Sequence, residues 1–86
     1  MDLYQEIEKT FPMLEKMFAE EKITEFRNTP KDDLGKYDFG MGTMIRLKIL
    51  RQKSYIYKCF LARGFKKRNK MSAVIIECFH AYITNK

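Results

Sequence analysis

The side chains best suited to chemistry are one histidine, His80, and two cysteines, Cys59 and Cys78. A histidine works as a general base when a nucleophile lies within hydrogen-bond reach of its ring. Nothing beside His80 suggests such a pair, and Cys78, two residues earlier, falls on a different face of a helix. Two cysteines without CxxC spacing and a single histidine cannot supply a zinc site. His80 is therefore expected to be structural and bonded to backbone. The thiols are expected to be reduced and buried in a cytosolic protein. Gly40-Met41-Gly42 invites comparison with a phosphate-cradling loop, yet it lacks the Walker spacing and a preceding strand. Close approach of another helix at Gly40 and Gly42 is the expectation instead. Arg46 shares a helix with inward-facing Met44 and Ile45. It is expected to be buried or half-buried, tying helix ends together through carbonyls or a carboxylate from Asp33, Asp38 or Glu77. No catalytic set, metal or cofactor is expected, and the chain reads as non-enzymatic.

The elements that must position these groups are helical. Leu3 to Lys9 forms a short helix with Asp2 as N-cap. A second helix runs from about Pro12 to Phe18, with a kinked continuous helix over 3–18 as the alternative. Glu20 to Asn28 follows, with Ile23 and Phe26 facing inward. Thr29 is expected to cap a short helix that opens on Pro30, with Asp32 and Asp33 favouring the positive end of its dipole. Met41, Met44, Ile45 and Ile49 mark a helix ending near Arg51. Ser54 caps the next, which runs through Arg63 and stops at Gly64 in the C′ position. Lys66 to Lys70 is expected to be a loop, and Asn69 to cap the last helix. There Met71, Val74, Ile75, Cys78, Phe79 and Tyr82 form the clearest apolar stripe, the mark of a central core helix. The six methionines resemble an adaptable binding surface, but Met41, Met44 and Met71 sit at core positions, where packing is the expected role. No alternating strand, internal repeat or linker occurs. The expected fold is all-α, a compact single-domain bundle of five or six short helices covering residues 1–86.

Two segments, taken together, resemble a known family. Phe39-Gly40-Met41-Gly42-Thr43-Met44-Ile45-Arg46 is similar to a "Phe, two residues, Gly, two residues, Ile-Arg" core. Met71-Ser72 through Phe79-His80 is similar to a "Met-Ser, spacer, Ile, spacer, aromatic-His" helix. The pairing resembles a family of small, mostly bacterial helical domains of uncharacterised function, over roughly residues 11–83. The resemblance implies a helical fold and no reaction. Where the family tends to place acids before its Met-Ser, this chain has Arg68-Asn69-Lys70, and cations there oppose the helix dipole.

Charge supplies the strongest functional lead. Residues 1–33 carry nine acidic and five basic side chains, whereas residues 34–86 carry two acidic and twelve basic. Ten lysines and arginines lie between Asp38 and Glu77 with no acid among them. A field this one-sided attracts an anionic partner and raises encounter rates. The residues expected to bind it are Arg51, Lys53, Tyr55, Lys58, Arg63, Lys66, Lys67, Arg68 and Lys70. Gly42, Arg46 and His80 are expected to be structural. The first functional reading is an immunity protein, which neutralises a bacterial toxin by covering its active site or substrate channel. Its partner is then an acidic toxin domain. The alternative is a small basic nucleic-acid-binding protein, with Tyr55, Tyr57 and Phe65 stacking on bases, although no reading module is evident. The longest uncharged stretch is eight residues, Cys78 to Asn85, against the roughly 20 apolar residues a membrane span needs. The start, Met1-Asp2-Leu3-Tyr4, is unlike a signal peptide. A cytoplasmic location with no membrane contact is expected.

Overall fold

A computed structural model describes residues 2–86. Asp2 accepts from the Tyr4 amide at 3.2 Å and starts α1 (Leu3–Glu8). Lys9 and Thr10 turn the chain into α2 (Phe11–Met17), where Pro12 occupies the first turn, which has no amide partner to lose. The two are separate helices, so the kinked alternative is not adopted. α3 (Glu20–Arg27) buries Phe26 completely and leaves Ile23 half-buried.

A single helical path then changes pitch twice. A 3₁₀ stretch (Lys31–Tyr37) passes into a π turn (Asp38–Gly42) and then into α4 (Thr43–Lys48). Pro30, extended at ψ 146°, precedes the first of these, and Thr29 does not cap it. Its hydroxyl instead donates back to the Glu25 carbonyl at 2.8 Å and meets the Tyr37 hydroxyl at 2.9 Å. With its hydroxyl turned to Glu25 and Tyr37 and its carbonyl held by His80, Thr29 is buried in the core rather than set at a helix end.

Ser54 caps α5 (Tyr55–Ala62) by accepting from the Tyr57 amide at 3.3 Å. At the other end Gly64 adopts φ 93°, a value that side chains rarely allow. Its amide bonds to the Leu61 carbonyl at 3.0 Å, and the Phe65 amide bonds to the Phe60 carbonyl at 3.1 Å. This is a complete Schellman closure, and its hydrophobic contact is the edge-on pairing of Phe60 with Phe65 at 5.1 Å.

α6 (Arg68–Thr84) is the centre of the bundle, in contact with α1, α3, α4 and the 3₁₀ and π segments. Met71, Ile75 and Phe79 of the expected stripe are fully buried, while Val74, Cys78 and Tyr82 are half-buried at its edge. Ser72, Ile76, His80 and Ile83 extend the buried surface on the opposite side. Phe79 stacks on Phe26 at 5.6 Å and Phe11 on Tyr82 at 4.6 Å, so rings from α2, α3 and α6 form one aromatic layer. Among the described residues there is no strand, and the fold is an all-α bundle.

Candidate functional site: a basic turn and the clamp behind it

The α5–α6 connection begins at the Schellman closure. With Phe65 packed on Phe60, only Lys66 and Lys67 remain to reach α6, so both are held exposed at a sharp corner. Lys67 is the N-cap residue, extended at φ −112° and ψ 132°, and its side chain makes no capping bond. Arg68 and Lys70 fall in the first turn of α6, and the Arg68 guanidinium lies over the Tyr57 ring at 5.1 Å. Arg63 is the C-cap of α5. The expected loop over 66–70 is therefore shorter than its sequence suggests, and Asn69 lies inside α6 rather than capping it. Its carbonyl accepts from the Ser72 hydroxyl at 3.0 Å. Helix formation wins there because the Phe60–Phe65 and Tyr57–Arg68 contacts bring the chain to α6 two residues early.

This arrangement gathers Arg63, Lys66, Lys67, Arg68 and Lys70 around one corner, and it sets cations at the positive end of a helix. Each such charge opposes the dipole by roughly 0.3–1 kcal/mol at low salt. No acid occurs in the first turn of α6 to offset them.

The remaining expected contact residues are more dispersed. Arg51 is exposed beyond α4 and donates from Nε to the Leu47 carbonyl at 3.3 Å. Lys53 is exposed in the following turn, and Lys58 is exposed on α5. Tyr55 sits on the α1 side of α5, beside Cys59, Glu6 and Lys9. Hydrogen bonding to Cys59 raises its phenol pKa. Tyr57, not Tyr55, is the aromatic ring that meets a cation of the basic corner.

Behind the corner lies a polar clamp. Arg46 Nη1 donates to Asp38 Oδ1 at 3.0 Å and to Ser72 Oγ at 2.8 Å. Nη2 donates to the Asp38 carbonyl at 3.0 Å and to Thr43 Oγ1 at 3.2 Å. Four acceptors around one half-buried guanidinium use the planar fork that lysine lacks. Gly42 makes room for it: a Cβ there would stand 3.0 Å from Arg46 Nη1 and 3.3 Å from Asp38 Oδ1. The close approach at Gly42 is thus a side chain's, not another helix's. Gly40 is exposed, with nothing within 4 Å of a Cβ built on it.

His80 is buried, and its Nε2 lies 2.9 Å from the Thr29 carbonyl. A carbonyl only accepts, so Nε2 carries the hydrogen. Phe26 meets the imidazole edge-on at 5.2 Å. Cys59 and Cys78 are free and half-buried rather than fully buried, and burial pushes the Cys78 thiol pKa up, with Glu77 adding to it. An unactivated thiol of this kind is a poor nucleophile. Every buried side-chain nitrogen and oxygen among the described residues has a hydrogen-bond partner. No group of three potential metal ligands occurs among them, and none of their helices is long and apolar enough to cross a membrane. Asp38 was legible as an Arg46 partner, but Ser72 and Thr43 were not. The one signal for Ser72 was its place in the Met-Ser pair.

These features define a small all-α domain organised around one long central helix. Residues 5–83 match the family described as a domain of unknown function, DUF6794, and the chain belongs to that family. No curated protein and no solved structure matches the chain.

Proposed function

We propose that this domain is a non-catalytic protein-binding module, an immunity protein that neutralises a bacterial toxin by docking its basic corner on an acidic patch. The observation that carries this reading is the concentration of Arg63, Lys66, Lys67, Arg68 and Lys70 at the α5–α6 turn, where Lys67 and Arg68 work against the α6 dipole. Among the described residues, the side chains of Lys66, Lys67 and Lys70 make no contact that offsets their crowding with Arg63 and Arg68, whereas an acidic partner would relieve the mutual repulsion and favour fast association. The polar groups that looked most capable of chemistry have other work. Arg46 holds Asp38 and Ser72, and His80 holds Thr29. The partner's surface would supply carboxylates to the corner, and Tyr57 would keep Arg68 in place as they arrive.

The nucleic-acid reading is weaker, because Phe65 packs on Phe60 and Tyr57 carries Arg68, which leaves Tyr55, exposed on the α1 side of α5 and away from the corner, as the one ring of the three open to a base. Capture from nuclease-treated and untreated host lysate, read by mass spectrometry and nucleic-acid staining, separates the two. Retention of an acidic protein after nuclease treatment supports the proposal. Recovery of nucleic acid alone overturns it.

A further inference from the structure

A second surface is built from residues outside the basic block. Phe18, Tyr37, Met41 and Met44 floor an open cleft of about 520 Å³. Met41 is buried at its base, and Met44, expected in the core, is only half-buried and faces this space. Thioethers adapt their shape to an incoming apolar group. Lys22 and Lys36 flank the floor, and neither is in an ion pair; Glu25 is the single carboxylate at the rim. Lys36 extends over the Tyr37 ring, with Nζ 5.6 Å from its centroid. Next to the lining residue Gly40 stands Phe39, at 87% exposure the most exposed large apolar side chain described. The π turn that carries it is fixed by the Arg46–Asp38 bonds, so the ring is presented on ordered backbone.

We infer that this cleft takes a short segment of a protein partner in which a bulky apolar side chain adjoins an aspartate or glutamate. The apolar side chain enters over Met41 and Met44, the carboxylate meets Lys22 and Lys36, and Phe39 packs against the same segment. Two lysines against one glutamate select the acidic neighbour. A second copy of this chain is disfavoured as occupant, since each carries a net charge of +6. The inference rests on the reading of the domain as a protein-binding module, but it uses none of the residues at the α5–α6 corner.

The test is an amide chemical-shift titration of the whole domain with two synthetic peptides, acetyl-Glu-Leu-Phe-Glu-amide and acetyl-Lys-Leu-Phe-Lys-amide. The acidic peptide should shift amides within Phe18–Glu25 and Lys36–Met44. It should bind about fivefold more tightly than the basic one, the upper range for exposed ion pairs. Phe39→Ala and Lys36→Glu should each weaken binding at unchanged thermal stability, while Lys66→Glu/Lys67→Glu/Arg68→Glu should leave it intact. Equal response to both peptides, no response at millimolar peptide, or shifts centred on Arg63–Lys70 would overturn the inference. So would concentration-dependent shifts at these positions without peptide, which would make a second copy the occupant. Wild-type partner capture by the corner variant with peptide binding retained would overturn the corner reading alone, and loss of capture in that variant with no peptide response in wild type would overturn the cleft alone.

Discussion

Arg46 donates to the Ser72 hydroxyl at 2.8 Å, joining two sequence motifs that lie 26 residues apart. Ser72 passes the interaction on by donating to the Asn69 carbonyl in the first turn of α6. The helix that carries the basic corner is thereby fixed to the π turn that carries Phe39. The resemblance that rests on Gly-x-x-Ile-Arg and Met-Ser thus has a physical content. Gly42 gives the space, Arg46 fills it, and Ser72 receives the far end of the fork.

Gly42→Ala should destabilise the domain, because its methyl meets Arg46 at 3.0 Å and Asp38 at 3.3 Å. Ser72→Ala removes one acceptor from a charged donor and should cost about 1–3 kcal/mol. A double-mutant cycle with Arg46→Ala and Ser72→Ala should show clear coupling in urea melts. Additive losses would show that the contact does not matter to stability.

The centre of the bundle should tolerate little. Phe79 is fully buried between Phe11 and Phe26, so Phe79→Ala should cost on the order of 3–5 kcal/mol. Ile75→Asp would bury an unpaired charge and should unfold the domain. A cooperative melt at the wild-type temperature would place the core elsewhere.

Lys67→Asp should stabilise the fold while weakening partner binding. An acid at this N-cap can accept from a free amide and favour the α6 dipole, for about 1 kcal/mol. In a domain of this size that is a rise of roughly 4–8 °C in Tm. A lower Tm would remove the claim that the corner opposes the helix.

The C-terminal end of α6 should respond to acid. Lys86 donates to Glu15 at 3.0 Å and holds that carboxyl below its ordinary value of 4.5, helped by Tyr82. A depressed folded-state pKa gives stability that is present above the ordinary value and lost as pH falls through the folded one. Tm should therefore drop below about pH 4.5, and Glu15→Gln should reduce that drop. An unchanged acid profile in the variant would show that the pair is too solvated to contribute.

The sequence exposed most of the architecture where local signals agreed. Asp2, Ser54 and Gly64 act at the helix ends their types imply, and the spacing of Met71, Ile75 and Phe79 marks the core helix. It misled where a distant partner overrode a local preference. Thr29 looks like a cap, but its hydroxyl turns back to the Glu25 carbonyl and meets Tyr37, while His80, 51 residues on, holds its carbonyl. Asn69 looks like a cap too, but the chain enters α6 early under the pull of Phe60 and Tyr57. The basic corner was legible as charge. That Tyr57 rather than Tyr55 stands beside it was not, because two residues on a helix point to different sides and only packing decides which side faces α6.

The most direct measurement is the association rate of the domain with the protein it retains from nuclease-treated lysate, for wild type and Lys66→Glu/Lys67→Glu/Arg68→Glu. Steering depends on the summed field. The variant should associate far more slowly while melting no lower than wild type, since exposed charges hold little of the fold together. Wild-type association by the folded variant at physiological salt would contradict the account and reduce the corner to a solvated surface.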